Sequence, residues 1–184
     1  MKARTKKILI VLSFVSSIFL IALYWESISL FIRGLRSDNL IRGLHPDMKP
    51  KVRKLVKALK ARGIDIVILS GYRSPEKQAE LYEAYKSGQS ALPASSPYMS
   101  LHNYGLAVDI AEVIDGVTVH STANQNWDII SQEAGKLGLS WGGSFNDKPH
   151  FYFDTGIPTA SMKVLVQDKS MVDIQGWLKL NKVA

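Results

Sequence analysis

Two short stretches of the sequence concentrate side chains that bind metal ions and transfer protons. The first contains His102 and Asp109, with Gly105 between them. The second covers residues 147–153 and contains His150. Imidazole nitrogens and carboxylate oxygens are ordinary ligands of Zn²⁺. The two stretches together therefore predict a metal site.

The alternation of side chains along each stretch indicates which way these residues point. In residues 106–111 apolar and small residues alternate, so Asp109 shares a strand face with Ala107 and Ala111. Two such small neighbours leave room for a metal ion and a substrate. The same alternation in the last predicted strand places His150 on one face of the sheet, just as Asp109 lies on one face.

Two imidazoles and one carboxylate make a three-ligand zinc site with the fourth position open to water. Such a set is typical of catalytic sites, because structural zinc sites are closed by four protein ligands. The chain has no cysteine, which excludes disulfides and thiolate zinc sites. Of its four histidines, we expect His45 and His120 to be structural. The first precedes a proline at a helix start, and the second follows a predicted hairpin.

Two further residues could complete a hydrolytic site. Asp147 lies three residues before His150, where it can approach the metal as a general base without ligating it. Arg73 follows a predicted strand on a loop that begins with glycine, and its planar fork suits a polarised carbonyl or a substrate carboxylate. The alternatives are that Asp147 is only a turn residue, and that Arg73 pairs with Glu76 or Glu80.

The predicted elements that must position these residues alternate between helices and strands. Their order is helix, strand, helix, strand pair, helix, strand pair, which favours an α+β fold with a small, mostly antiparallel sheet and flanking helices. Apolar residues at helical spacing, β-branched runs, caps and turn residues carry this interpretation. The elements are a helix with Pro50 in its first turn and a stop at Gly63, a strand over 64–70, a helix capped by Ser74, a strand over 106–111, a hairpin turn at 115–116, a helix capped by Asn126, a short strand and turn over 139–143, and a strand over 149–154.

Residues 88–99 are small, polar and interrupted by proline, and they directly precede the His102 stretch. Loops of this length in a compact domain are often lids or binding loops. Plain disorder is the alternative interpretation.

The N-terminus predicts a membrane anchor. Four basic residues precede an uncharged apolar run, residues 8–25, which as a helix would span about 27 Å, close to the thickness of a bilayer core. The basic flank favours a cytoplasmic N-terminus, residues 1–7, with the remainder of this single-pass protein on the outer side of the membrane. A cleaved signal peptide is the alternative, but the run is longer than a usual h-region and no A-x-A site follows.

The remaining chain divides into a linker, one domain and a tail. Residues 26–43 mix apolar residues with arginines, which indicates either a juxtamembrane amphipathic helix whose basic residues meet anionic headgroups or a solvated connector. The folded domain is predicted over 44–155. The tail, 156–184, is too short for a second domain.

Four motifs occur in a characteristic order: S-G-Y-R-S at 70–74 with a following Gln78, S-x-H-x-x-G-x-A-x-D at 100–109, W-G-G at 141–143 and D-x-P-H-F at 147–151. Together they resemble the LAS metallopeptidases, the D-Ala-D-Ala carboxypeptidases and L-alanyl-D-glutamate endopeptidases that cut peptidoglycan stem peptides. The resemblance covers roughly residues 44–154 and implies a Hedgehog/DD-peptidase-like fold.

The resemblance also implies roles for individual residues. It implies Zn²⁺ bound by His102, Asp109 and His150, with Asp147 as general base and Arg73 in an electrostatic role. A sixth residue, Ser100, would contact the substrate, which is expected to be a peptidoglycan stem peptide.

Two details resemble the endopeptidase branch, which includes phage endolysins. The acidic base stands in D-x-P-H-F, where many carboxypeptidases carry E-x-W-H, and W-G-G is similar to the endolysin-like members. D-Ala-D-Ala carboxypeptidase is the alternative activity. The predicted anchor departs from free endolysins, which usually lack one.

Other classes of protein fit the sequence less well. A catalytically inactive zinc-containing module that binds the cell wall would need neither Asp147 nor Arg73. Nucleic-acid binding would draw on the net charge of +7, but the basic residues are scattered and several flank the membrane segment. No G-x-S-x-G motif supports a serine hydrolase.

Overall fold

The computed structural model describes residues 24–25, 27–123 and 125–168. Helices and strands alternate along most of the chain. Two of the helices are short 3-10 helices. The elements are α1 (27–42), α2 (Met48–Lys60), β1 (Asp65–Ser70), α3 (Pro75–Lys86), a 3-10 helix (Leu101–Tyr104), β2 (Ala107–Ile114), β3 (Val117–Thr118), α4 (Trp127–Lys136), β4 (Ser140–Trp141), a 3-10 helix (Gly142–Phe145), β5 (His150–Tyr152) and α5 (Thr159–Asp168).

The five strands form one sheet in which β2 is central. Its order is β1-β2-β5-β4, with β3 paired to the far end of β2, and every pairing is antiparallel. This confirms the predicted α+β fold with a small antiparallel sheet and flanking helices. The hairpin between β2 and β3 turns at Asp115 and Gly116, whose φ angles are 48° and 73°. Positive φ at both central residues is what a type I′ turn requires, and Asp-Gly is a favoured pair for it.

The hydrophobic core lies between one face of the sheet and the two helices α2 and α4. Helix α2 contributes Val52, Leu55 and Leu59, which are fully buried and follow the i, i+3, i+7 spacing of a single helix face. Val108 and Ile110 of β2 meet them from the sheet. Because Asp109 alternates with these two residues, its side chain lies on the opposite face.

Packing of the domain begins upstream of the predicted boundary at Leu44. Ile41, in the last turn of α1, is 3% exposed and belongs to the main core. The Ser37 hydroxyl accepts a hydrogen bond of 3.1 Å from the backbone nitrogen of Ile68 in β1. The C-terminal half of α1 is therefore part of the folded domain rather than of a free linker.

Of the two predicted helix caps, one forms the expected hydrogen bond and the other does not. Ser74 caps α3 as expected, since its hydroxyl accepts from the backbone nitrogen of Lys77 at 3.2 Å. Asn126 stands at the start of α4, but its side chain makes no cap and instead donates to the carboxylate of Glu112 at 2.6 Å. Glu112 is buried in β2, and a buried carboxylate requires hydrogen-bond donors.

In the part of the chain described above, no helix is both long enough and apolar enough to span a membrane. The anchor predicted over residues 8–25 lies outside the described residues, apart from its last two positions. Of the predicted tail, α5 packs against the domain through Met162, which is buried with Tyr104 and Leu106. Residues 169–184 also lie outside the description.

Candidate metal centre

Strand pairing brings one carboxylate and one imidazole face to face. In the register of β2 and β5, Asp109 lies opposite His150. On its other side Asp109 pairs with Ser70, after an irregularity in the register of β1. Three neighbouring strands therefore place polar side chains at one point of the sheet.

The second imidazole comes from the 3-10 helix that precedes β2. The Ser100 hydroxyl caps this helix by accepting from the backbone nitrogen of His102 at 3.3 Å. Gly105 ends it with a φ of +67°, and a Cβ there would lie 2.8 Å from the backbone nitrogen of His45. Only glycine both adopts this positive φ easily and fits this close to the backbone of His45, so Gly105 determines how the 3-10 helix leads into β2.

The three predicted ligands converge on a single point. Nε2 of His102 and Nδ1 of His150 lie 3.3 Å and 3.1 Å from the same Asp109 oxygen, Oδ1. All three candidate ligand atoms lie within 4.8 Å of one another. Ligands at about 2.0–2.2 Å from a tetrahedral ion are separated by about 3.3 Å, so these side chains fit a zinc ion. Two nitrogens and one carboxylate oxygen also match a catalytic donor set.

A backbone carbonyl fixes which nitrogen of His102 faces the site. Nδ1 lies 2.7 Å from the carbonyl oxygen of Gly71, to which it donates its proton. Nε2 is therefore the nitrogen that faces Asp109 and could ligate a cation. Metal-ligating histidines are commonly oriented by such a second hydrogen bond.

The electrostatics of the site keep Asp109 ionised. Burial alone would raise the pKa of the Asp109 carboxyl group. The hydrogen bonds with His102 and His150, together with the electrostatic attraction of these two residues, outweigh that effect and hold its pKa well below the usual range. The carboxylate is therefore available as a ligand throughout the neutral range.

Arg73 lies against the other oxygen of the same carboxylate. Its Nη2 is 3.6 Å from Oδ2 of Asp109 and 3.0 Å from the Ser70 hydroxyl. The sequence left open a pairing with Glu76 or Glu80; the structure gives the ion pair to Asp109 instead. A guanidinium beside the candidate ligands adds positive charge to this site.

Asp147 lies at the rim of the site on the turn that leads into β5. Its backbone carbonyl accepts from the backbone nitrogen of His150 at 3.1 Å, and its backbone nitrogen donates to Gly142 at 3.0 Å. The side chain is exposed on one side, and partial loss of solvent raises the pKa of its carboxyl group. The charge of Asp109 raises this pKa further, whereas His150 and His102 lower it.

Gly142 allows the Asp147 turn to pack against β5. A Cβ at this position would lie 2.5 Å from the carbonyl oxygen of Asp147 and 3.0 Å from Cβ of His150. The W-G-G motif therefore has a steric reason, since its first glycine sits between the candidate base and a candidate ligand.

Two buried polar residues that received no role from the sequence hold Arg73 in place. Gln78 is 1% exposed, and its side-chain oxygen accepts from Nη1 of Arg73 at 2.9 Å. Asn103 donates to the backbone carbonyl of Arg73 at 2.8 Å and accepts from the backbone nitrogen of Tyr98 at 2.9 Å. The available signal for Gln78 was its place in the motif after S-G-Y-R-S. Asn103 follows a candidate ligand directly, but its partners are distant in sequence.

The loop over residues 87–100 packs beside the site through several hydrogen bonds. Gln78 donates to the carbonyl oxygen of Ser95 at 2.6 Å, and the Tyr104 hydroxyl donates to that of Tyr98 at 2.8 Å. Tyr98 has a φ of 65°, which is uncommon for a residue with a side chain. The same side chains therefore position both the loop and the arginine.

Aromatic rings line the other side of the site. Tyr152 stacks on His150 with ring centroids 5.6 Å apart, and Phe145 lies 6.2 Å from the same ring. Phe145 is 56% exposed, so it offers an apolar surface to whatever binds beside the metal site. No sequence pattern pointed to Phe145, because its position depends on the 3-10 helix over 142–145.

The fold and this site define an α+β protein with a candidate catalytic metal centre of two histidines and one aspartate. The family model of VanY, D-alanyl-D-alanine carboxypeptidase, matches residues 41–150. The chain belongs to this family.

Three individual proteins agree with that assignment. The chain is 38% identical over 122 residues to the peptidoglycan L-alanyl-D-glutamate endopeptidase CwlK of Bacillus subtilis, a match covering 58% of this chain and 71% of that protein. It is 34% identical over 117 residues to a D-alanyl-D-alanine carboxypeptidase of Enterococcus faecalis, covering 55% of this chain and 42% of that protein. The chain thus spans less than half of the second relative. The crystal structure of the L-Ala D-Glu endopeptidase ChiX of Serratia marcescens matches with a TM-score of 0.50 at 25% identity, over 66% of this chain and 88% of that one.

Proposed function

We propose that this protein is a zinc-dependent peptidase that hydrolyses the L-alanyl-D-glutamate bond of peptidoglycan stem peptides. The observation that carries the proposal is the convergence of His102 and His150 on one oxygen of Asp109, with Arg73 against the other oxygen. Family membership supports a peptidase of the cell wall, and the similarity to CwlK supports this particular bond.

His102, Asp109 and His150 would hold the zinc ion. When bound, zinc would supply a Lewis acid that polarises the scissile carbonyl group and acidifies the attacking water. A site made only to hold zinc would not need the neighbouring Arg73 and Asp147, which are the residues expected in catalysis.

Asp147 would move the proton. Its carboxylate takes a proton from the attacking water as the water oxygen bonds to the carbonyl carbon. It then passes this proton to the leaving nitrogen as the carbon–nitrogen bond breaks. The raised pKa of Asp147 favours the first step, because a carboxylate with a higher pKa takes a proton from water more readily.

Arg73 would stabilise the negative charge that develops on the carbonyl oxygen, or hold a carboxylate of the substrate. The hydrogen bonds from Arg73 to Ser70 and Gln78 fix the direction of its guanidinium group before substrate binds. Preorganised donors of this kind contribute more than flexible ones, because little reorganisation is needed during the reaction. Ser100, which caps the 3-10 helix of His102, lies beside the same site and would contact the substrate.

A second candidate activity is removal of a terminal D-alanine. The family model and the Enterococcus faecalis relative support this alternative. Both activities use the same metal centre and the same arginine. They differ in how far the substrate extends beyond the scissile bond.

The N-terminal run over residues 8–25 would anchor the protein in a membrane, with the site on the outer side. The support for this is its lack of charge and the basic residues that precede it. A catalytic domain on that side would face peptidoglycan.

Purified peptidoglycan tests the activity directly. The full-length protein is incubated with it, with and without chelator, and the released fragments are identified by mass spectrometry. New breaks between L-alanine and D-glutamate that vanish with chelator and return with Zn²⁺ are expected. Release of D-alanine alone would establish the carboxypeptidase instead. Stoichiometric zinc without any cleavage would favour an inactive binding module.

A further inference from the structure

Helix α1 carries an apolar face that the domain does not cover. Its members, here called the outer face of α1, are Ile28, Phe31, Ile32 and Leu35, which are 45%, 66%, 59% and 50% exposed. At about 100° per residue, these four positions fall within an arc of roughly 100° on one side of the helix. Contiguous exposed apolar surface of this kind usually marks an interaction site.

The opposite side of α1 is the one that packs on the domain. Ser37 bonds to β1, Ile41 is in the core, and Leu40 packs against it. The usual amphipathic arrangement, with the apolar side inward, is therefore reversed over much of this helix. The outer face of α1 does not help to close the core, so another partner must account for it.

The residues on either side of the outer face of α1 favour a lipid bilayer as that partner. Tyr24 and Trp25, 61% and 64% exposed, extend the same side of the helix toward the uncharged run that ends at residue 25. Aromatic residues at this position are typical of the boundary between membrane and water. Arg36 and Arg42 are exposed further along α1 and can meet anionic headgroups. Arg33 does not take part as the sequence suggested, since its Nε and Nη2 are buried.

We propose that the outer face of α1 lies in the headgroup region of a bilayer, with the helix axis along the membrane surface. Amphipathic helices bind in this way by burying their apolar face about 5–10 Å into the interface. The inference rests on the proposed membrane anchor, which would bring α1 to that surface, and it does not depend on which peptide bond is cut.

A membrane contact at α1 would orient the metal centre. The carbonyl oxygen of Leu40 lies so near Gly71 that a Cβ there would be 2.9 Å away. The carbonyl oxygen of Gly71 in turn holds the ring of His102. Helix α1 is therefore joined to the site by close backbone packing, and fixing the helix on a surface would fix the direction in which the site opens.

Fluorescence quenching by lipids tests the proposal on the full-length protein. Because the chain has no cysteine, single substitutions can carry one label each. Phe31→Cys and Leu35→Cys probe the outer face of α1, Lys54→Cys on the exposed side of α2 is the control, and Ile18→Cys reports on the anchor. Each bimane-labelled protein is placed in nanodiscs of phosphatidylcholine and phosphatidylglycerol, with or without lipids that carry a doxyl quencher.

The expected result is a loss of fluorescence at positions 31 and 35 when the doxyl lipid is present, and none at 54. Quenching at 18 alone would retain the anchor and overturn the proposal for α1. Blue-shifted emission at 31 and 35 without lipid quenching would also overturn it, because a second copy or another segment would then cover this face. Without quenching at 18, 31 or 35, both membrane proposals would be wrong. Peptidoglycan cleavage by the same samples checks the proposed activity separately.

Discussion

The side-chain oxygen of Gln78 accepts a hydrogen bond of 2.9 Å from Nη1 of Arg73. The amide nitrogen of the same Gln78 donates to the carbonyl oxygen of Ser95. One buried glutamine on α3 therefore links the candidate catalytic arginine to the loop over residues 87–100. The arrangement implies that the arginine and the loop are positioned together.

Replacing Gln78 by leucine should reduce catalysis without removing the metal. A hydrogen bond to a charged group contributes about 1.5–3 kcal/mol, so kcat/KM should fall roughly ten- to hundredfold. Gln132→Leu, at an exposed glutamine on α4, is the matched control. The zinc content of both variants should equal that of the wild type. Unchanged kcat/KM in Gln78→Leu would show that Arg73 does not need this contact.

Replacing Asp147 by asparagine should abolish hydrolysis while zinc remains bound. Asparagine keeps the size of the side chain but cannot accept the proton, and loss of a general base typically costs about 10²- to 10⁴-fold in rate. Asp128→Asn, on the exposed side of α4, should behave as the wild type. Rates are measured by fragment release and zinc by atomic absorption. Hydrolysis at the wild-type rate would mean that another group is the base.

Zinc should stabilise the folded protein through the three candidate ligands. A ligand at a concentration 100 times its Kd stabilises by about 2.7 kcal/mol, which thermal unfolding detects as a higher Tm. His150→Ala should lose this increase together with activity, whereas His120→Ala, at an exposed position after β3, should keep both. If the His150 variant bound zinc as tightly as the wild type, the ligand set would need revision.

Gly142→Ala should lower both stability and zinc affinity. The new methyl group would lie 2.5 Å from the Asp147 carbonyl oxygen, so the turn before His150 must move. Gly135→Ala is the control, because that position in α4 has nothing within 4 Å of a new Cβ. There the change should be neutral or stabilising, since alanine favours a helix by about 1 kcal/mol over glycine. Thermal unfolding and zinc titration measure the two effects, and equal behaviour of the variants would contradict the packing argument.

Tyr104 should make the protein less stable at alkaline pH. Burial, with a smaller contribution from Tyr98, raises its pKa to about 12 from the 10.0 of a free phenol. Between those values the folded state holds more protons than the unfolded state, so the free energy of unfolding falls as the pH rises. Tyr104→Phe should show a flatter dependence over this window in denaturant titrations. Tyr85→Phe, exposed on α3, should keep the wild-type slope.

The sequence by itself determined the types of the site residues and the faces on which several of them lie. Strand alternation placed Asp109 opposite the apolar side of β2, because this property depends only on the local period of a strand. The helices α2 and α3, the hairpin and the α+β class followed from patterns of similar range. Motif order predicted a family that the comparisons then confirmed.

Only the tertiary structure decided which of these residues meet. Asp109 and His150 are 41 residues apart, and their contact depends on β2 pairing with β5 in one particular register. The pairing of Arg73 with Asp109, and the roles of Gln78 and Asn103, likewise depend on contacts between distant segments. A local pattern gives the period of an element but not its neighbour or its register, since those are selected by the packing of the whole domain. For the same reason, an apolar stripe on α1 was visible in the sequence, but only the fold showed that it faces outward.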